Sequence, residues 1–227
     1  MNITHLGHAC LVVHIEGTRV LIDPGAFSRG VDELHEIDAV LITHKHFDHF
    51  DTAAVERLLE RNPDAVLVVE PSTAAEVPDS IRPERVQVVQ PGDEFTVGAG
   101  LPIKAVGGDH AIIHPDVPLI PNIGYFFPSV GLLHPGDEFS SPAEDVLVLA
   151  LPISGPWQAL SDAVEYLRDV NPGIAFPIHE GVLSKPEIYN NYLNQLKPAQ
   201  TQFVVLEHGI ETPLGTAAVS RMQRNGA

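Results

Sequence analysis

One strand of this chain runs straight into a cluster of metal-binding side chains. Residues 39–43, AVLIT, form an apolar run rich in Val and Ile that reads as a strand. It continues without a break into His44-Lys45-His46-Phe47-Asp48-His49, three imidazoles and a carboxylate within six residues. Two earlier runs, LVVHI at 11–15 and RVLIDP at 19–24, read as neighbouring strands joined by a Gly17-Thr18 turn. After the cluster, Asp51 is placed to cap a helix in which Val55, Leu58 and Leu59 share one face at helical spacing. The cluster therefore lies between the end of a strand and the start of a helix.

Strand patterns continue in AVLVVE, RVQVVQ, EFTVG, LPIKAVGG and VLVLALP. Helical patterns in SDAVEYLRDV and KPEIYNNYLNQL flank the strand GIAFPIH. Strands mixed with helices throughout, the second half partly echoing the first, predict an α/β protein. With 227 residues, 44% of them hydrophobic, the chain suits a single domain over 1–227, with a loose tail over 213–227 where apolar residues thin out. Twenty prolines and eighteen glycines are spread along the chain and mark many short turns rather than a linker.

The chemistry follows from the cluster. Alternate residues of an extended segment project the same way, so His44 and His46 can offer imidazoles to one ion. Asp48 and His49, at the turn into the helix, can address a second position nearby. This spacing suits two divalent ions. His and Asp ligands accept zinc, the first expectation, and also manganese or iron.

The motif resembles the signature of the metallo-β-lactamase fold superfamily of hydrolases, and the resemblance extends over nearly the whole chain. It implies a four-layer αββα sandwich of two mixed β-sheets with outer helices, built from two similar halves. It also implies a ligand set. His44, His46, Asp48 and His49 would share two ions with His110, which follows a strand and a Gly-Gly turn, with a bridging aspartate, and with His179 at the end of a late strand.

The pentapeptide PGDEF occurs twice, at 91–95 and 135–139, and family order separates the copies. Asp93 precedes His110 and is read as a turn residue; Asp137 lies between His110 and His179 and matches the bridging position. Both can also be the same turn chemistry, with Pro and Gly setting the backbone. His8 and Asp23 resemble the opening Gly-His and Asp-Pro of the branch that includes ascorbate-6-phosphate lactonase-like proteins and N-acyl phosphatidylethanolamine phospholipases. There Asp23 would brace the ligands and His8 would face the pocket. His134 is a candidate to line the site or bond the aspartate, and His114 sits in a proline-rich loop that could overhang the cleft.

With that ligand set, the expected function is dinuclear metal-dependent hydrolysis, a metal-bridging hydroxide attacking a small ester, lactone or phosphoester. Asp48 would orient the nucleophile and carry a proton. The alternative is a metal-binding sensor or interaction protein without turnover. Di-iron redox chemistry is disfavoured by His46 and by the lack of room for a flavin domain. The formal charge of −17 argues against nucleic acid or an anionic membrane as partner. No run approaches the roughly 18 apolar residues of a span. One cysteine, Cys10, rules out a disulfide framework, and MNITHLGHAC shows no export signal, so the expectation is a cytoplasmic protein acting on a small molecule.

Overall fold

The computed structural model describes residues 1–215. β1 (Asn2–His5), β2 (Leu11–Ile15), β3 (Thr18–Ile22), β4 (Ala39–Leu41), β5 (Val66–Val69) and β6 (Val86–Val88) lie side by side in one sheet. β7 (Glu94–Val97), β8 (Leu101–Asp109), β9 (Pro121–Phe127), β10 (Leu132–His134), β11 (Val148–Pro152), β12 (Ile174–Ile178) and β13 (Gln202–Phe203) form a second. β14 (Glu211–Pro213) returns to the first sheet beside β1. Both sheets are mixed: antiparallel from β1 to β3 and from β7 to β10, parallel from β3 to β6 and from β10 to β13. The helices are α1 (Thr52–Arg61), α2 (Pro71–Ala74), α3 (Leu160–Val170) and α4 (Pro186–Leu196).

The strands read as unbroken apolar runs because both of their faces are covered. Val20, Ile22, Ala39 and Leu41 point inward and pack with Ile103, Tyr125, Val148 and Phe176 of the opposite sheet. Their neighbours Leu21, Val40 and Ile42 point outward and meet Val55, Leu58 and Leu59 of α1. On the other side, Leu149, Leu151 and Ala175 pack against Ala163, Leu167 and Leu193 of α3 and α4. The result is the four-layer αββα sandwich. A ten-residue helix such as α1 is marginal by itself, so its apolar face and the Asp51 cap, which accepts from the Ala54 amide at 3.0 Å, hold it in place.

Strand direction decides where the chemistry collects. In the first sheet β1, β3 and β4 run the same way, and in the second β8, β10 and β12 do. His8 follows β1, Asp23 follows β3, His44 follows β4, His110 follows β8, Asp137 follows β10 and His179 follows β12. Cross-sheet bonds draw these strand ends together: the Ile123 amide donates to the Thr43 carbonyl, and the His179 amide to the His8 carbonyl, both at 2.9 Å.

Two local features differ from expectation. Gly107 and Gly108 form no turn, because β8 continues through them to Asp109 and pairs with β9 throughout. The strand β1, too short and polar in NITH to stand out, is fixed by pairing on both edges. In the tail, Pro213 pairs with Asn2 and Leu214 is buried, while residues 216–227 lie outside the described residues.

The Tyr125 hydroxyl, on the second sheet, donates at 2.8 Å to the Ile42 carbonyl of the first, two residues before His44 in the chain. Tyr125→Phe leaves that carbonyl without its cross-sheet donor, so urea unfolding should show a loss of about 1–3 kcal/mol. An unchanged midpoint would mean that the bond contributes nothing to joining the sheets.

Candidate metal centre

The site is assembled from Thr43 outward. Its amide donates to Asp23 Oδ1 at 2.8 Å and its hydroxyl to Asp23 Oδ2 at 2.7 Å. With that proton committed, the Thr43 oxygen accepts from His44 Nδ1 at 3.0 Å, which leaves the lone pair on His44 Nε2. Asp23 Oδ2 also accepts from His49 Nδ1 at 2.7 Å and so turns His49 Nε2 toward Asp137 Oδ1, 3.1 Å away. A carboxylate fixing the far nitrogen of an imidazole is the usual support for a metal-binding histidine. Asp23 makes these bonds from a left-handed backbone at φ 47, a conformation that costs a non-glycine residue roughly 1–3 kcal/mol. Gly25 completes the turn, since a Cβ there would lie 1.9 Å from the Asp48 carbonyl oxygen.

The second sheet supplies the opposing wall. Gly136, at φ 69, turns the chain after β10, and a Cβ on it would meet Asn122 Oδ1 at 2.3 Å. Asn122 pins this turn by donating to the Pro135 carbonyl at 2.8 Å and accepting from the Asp137 amide at 3.0 Å. Trp157 Nε1 donates to Asp137 Oδ2 at 2.9 Å. His179 Nε2 lies 2.9 Å and His110 Nε2 3.4 Å from the same oxygen. His110 Nδ1 is occupied by the Ala111 carbonyl at 2.6 Å, so its Nε2 is the nitrogen left for the centre.

Two groups result, linked by a third that shares a residue with each. His44, His46 and His110 offer ligand atoms within 4.8 Å of one another, and His8, Asp48, His49 and His179 do the same, while Asp137 groups with His44 and His49 between them. His49 Nε2, His110 Nε2, His179 Nε2 and Asp137 Oδ1 are buried and, apart from the contacts between these rings and the Asp137 carboxylate, have no hydrogen-bond partner. Buried polar atoms are rarely left unpaired, and here four of them converge. Three nitrogens and a carboxylate oxygen in a buried space fit divalent cations such as zinc.

The charges agree with that fit. Burial holds the His44 imidazole well below its usual pKa and also lowers His46, so both are neutral at pH 7. Burial opposes charge on His49 too, but Asp137 and Asp23 on either side outweigh it and hold the ring well above its usual value. Burial likewise pushes against ionised Asp137, yet His49 and His179 keep its carboxyl well below the normal range. Asp48 is raised by burial and lowered more by its bond to His8 and the charge of His49, to about 2. The proton on His49 thus balances two carboxylates in the position where a cation would do so.

All seven candidate ligands meet at this centre. His8 joins them: its Nε2 lies 3.1 Å from Asp48 Oδ2. His134 is close but engaged elsewhere, its Nδ1 accepting from the Gly136 amide at 3.3 Å and its Nε2 donating to the Ala9 carbonyl at 2.9 Å, so it supports the turn and offers no free nitrogen to the centre. His114 is exposed on the loop over the cleft. Asp93 makes a local turn, accepting from the Gln90 amide at 2.8 Å, so both PGDEF copies are turns and only the second is buried in the site. Thr43, Asn122 and Trp157 carry no spacing signal that would have found them; only the fold brings them here. A cleft of about 380 Å³, lined by His46, His110 and residues 111–120, opens on the centre. A larger groove of about 770 Å³ over β1 and β2 has mixed charges and none of these ligands.

Residues 2–179 match the beta-lactamase superfamily domain, and the chain belongs to that superfamily. Within it the chain belongs with the UPF0173 proteins. It is 31% identical over 204 residues to the UPF0173 protein PF0020 of Pyrococcus furiosus, covering 86% of this chain and 91% of that protein. Protein Rv0786c of Mycobacterium tuberculosis is 43% identical over 211 residues, 91% of this chain and 96% of that one. The UPF0173 metal-dependent hydrolase MK1542 of Methanopyrus kandleri is 28% identical over 251 residues, 92% and 98% of the two chains. Igni18, a metallo hydrolase from Ignicoccus hospitalis, shares the fold with a TM-score of 0.72 at 19% identity, over 93% of this chain and 97% of its own.

Because His49 holds its proton at pH 7 and neutral imidazoles bind metal, loading the metal-free protein should release about one proton from this residue. Affinity should then rise with pH, by up to about tenfold per unit. Calorimetry in buffers of different ionisation enthalpy measures this, and uptake without proton release would contradict it. Trp157→Phe removes a donor from Asp137 and should weaken metal binding by about 10–100-fold in chelator competition. An unaltered affinity would make Trp157 only a packing residue.

Proposed function

We propose that this protein is a metal-dependent hydrolase using two divalent ions, zinc first and manganese or iron as alternatives, to cleave a small ester, lactone or phosphoester. The observation that carries the reading is the convergence of buried, unpaired ligand atoms from His49, His110, His179 and Asp137. The name of the Methanopyrus relative points the same way. His44, His46 and His110 would hold one ion, Asp48, His49 and His179 the other, and Asp137 would serve both. Bound there, the ions would lower the pKa of a shared water from 15.7 toward about 7 and polarise the substrate oxygen.

The chain's own residues divide the remaining work. Asp48 is held ionised, with one oxygen bonded to His8, and reaches the edge of the buried centre, so it can orient the attacking water and pass a proton to the leaving group. Asp23 and Thr43 fix the rings of His49 and His44, and Trp157 fixes Asp137, so little reorganisation is needed during the reaction. His8 and Asp23 also support a place near the ascorbate-6-phosphate lactonase-like branch. No helix among the described residues is long and apolar enough to cross a membrane. A cytoplasmic location stays part of this reading, supported by the one cysteine, Cys10, which is buried and free.

Metal-loaded protein should hydrolyse at least one class in a panel of esters, lactones and phosphoesters. Removing the metal, or substituting His46→Ala or His110→Ala, should lower the rate by at least about a hundredfold. Metal binding with no turnover on any class would favour a sensor, and activity that survives both treatments would show that the centre is not its source.

A further inference from the structure

The cleft beside His46 and His110 has a largely apolar wall, interrupted by His114 and Asp116. Residues 111–120 form a loop closed at its neck by the His110 amide donating to the Ile120 carbonyl at 2.9 Å. The Ala111 amide, donating to the Asp137 carbonyl at 2.9 Å, ties the loop's first residue to the centre. Pro115 and Pro118 stiffen it. Anchored in this way, the loop still turns large apolar side chains to solvent: Ile112 is 68%, Leu119 54% and Val117 46% exposed. Beside His46 in the chain, Phe47 is 64% exposed and packs edge-on against Phe27.

Charge is as informative as apolarity. Among the described residues no Arg or Lys lines this cleft, and its one carboxylate is Asp116. The nearest lysine in the chain, Lys45, is engaged by Glu76 at 2.8 Å. Beyond the ions of the proposed centre and the imidazoles of His46, His110 and His114, an anionic substrate would therefore meet no Arg fork or Lys cation along this wall, on a protein whose formal charge is −17. A neutral substrate with an alkyl or aryl group would cover Ile112, Val117 and Leu119 and gain from their burial. At about 380 Å³ the cleft lies at the small end of ligand sites.

We propose that residues 111–120 bind the apolar part of an uncharged substrate, so that the preferred class is neutral carboxylic esters or lactones carrying an alkyl or aryl group rather than phosphoesters. This rests on the hydrolase reading above and narrows it. In the reaction water adds to the ester carbonyl, the carbon–oxygen bond to the leaving group breaks, and the products are a carboxylic acid and an alcohol, or a hydroxy acid from a lactone.

Two measurements decide it. With metal-loaded protein, kcat/KM on p-nitrophenyl esters from acetate to octanoate should rise about two- to fourfold per methylene before levelling off. Bis(p-nitrophenyl) phosphate should be at least about a hundredfold slower than the best ester. A phosphodiester rate equal to the best ester, or no dependence on chain length, overturns the proposal. Titration of the same protein with 2-alkanones of rising length, followed by calorimetry, needs no turnover. Affinity should tighten with chain length in the native protein and lose that dependence when Ile112, Val117 and Leu119, all exposed, are each changed to Ser. Cleavage of the phosphodiester without any carboxylic ester overturns this proposal and leaves the hydrolase reading standing. If neither is hydrolysed, the hydrolase reading fails while the ketone titration still decides where an apolar group binds: a chain-length dependence that the variant removes supports the loop's role, and equal weak binding throughout overturns it.

Discussion

A carboxylate enclosed by imidazoles governs this structure. Asp137 is 3% exposed and has ring nitrogens of His49, His110 and His179 within 3.4 Å of its two oxygens. Removing an ion from water is costly unless an opposite charge accompanies it. In the protein alone, the positive charge of the His49 ring, with Nδ1 on Asp23 and Nε2 facing Asp137, fills that role. A pair of cations would fill it better, since they would also engage the unpaired atoms of His110 and His179. Much of the surrounding architecture keeps this arrangement in place: the strained backbones of His8, Asp23 and His179, all at positive φ, and glycines at 25 and 136 where a Cβ has no room.

The sandwich makes such a centre affordable by placing its parts at the ends of parallel-running strands. Each half of the chain contributes strands of one direction, and the inward side chains of both sheets form a continuous apolar core beneath the site. Of the candidate ligands, His44, His110, Asp137 and His179 consequently sit within three residues of a strand end, while His46, Asp48 and His49 lie in the connection from β4 to α1. The loop 111–120 beside the centre is anchored at its neck, and that leaves its apolar side chains available for a substrate.

Much of this was legible in the sequence. The runs around β2 to β5 showed as strands because both faces are covered, and Asp51 marked the start of α1. The candidate ligands in residues 44–49 are readable from spacing alone, whereas His110, Asp137 and His179 need the order seen in a family, because their proximity depends on folding. The supporting residues were less visible. Thr43, Asn122 and Trp157 act through single hydrogen bonds that leave no periodic trace. The Gly107-Gly108 pair reads as a turn, yet it lies within β8, where Gly107 leaves space filled by the Glu138 carboxyl. His134 shows why a nearby histidine need not be a ligand: both of its ring nitrogens are already engaged by backbone.

In the proposed function two cations would share Asp137. X-ray anomalous scattering at the edge of the bound metal, from crystals of protein purified without chelators, locates them directly. Two peaks should flank the Asp137 carboxylate, one among His44, His46 and His110, the other among Asp48, His49 and His179. Metal found only elsewhere, or His110 and His179 turned away from occupied sites, would contradict it.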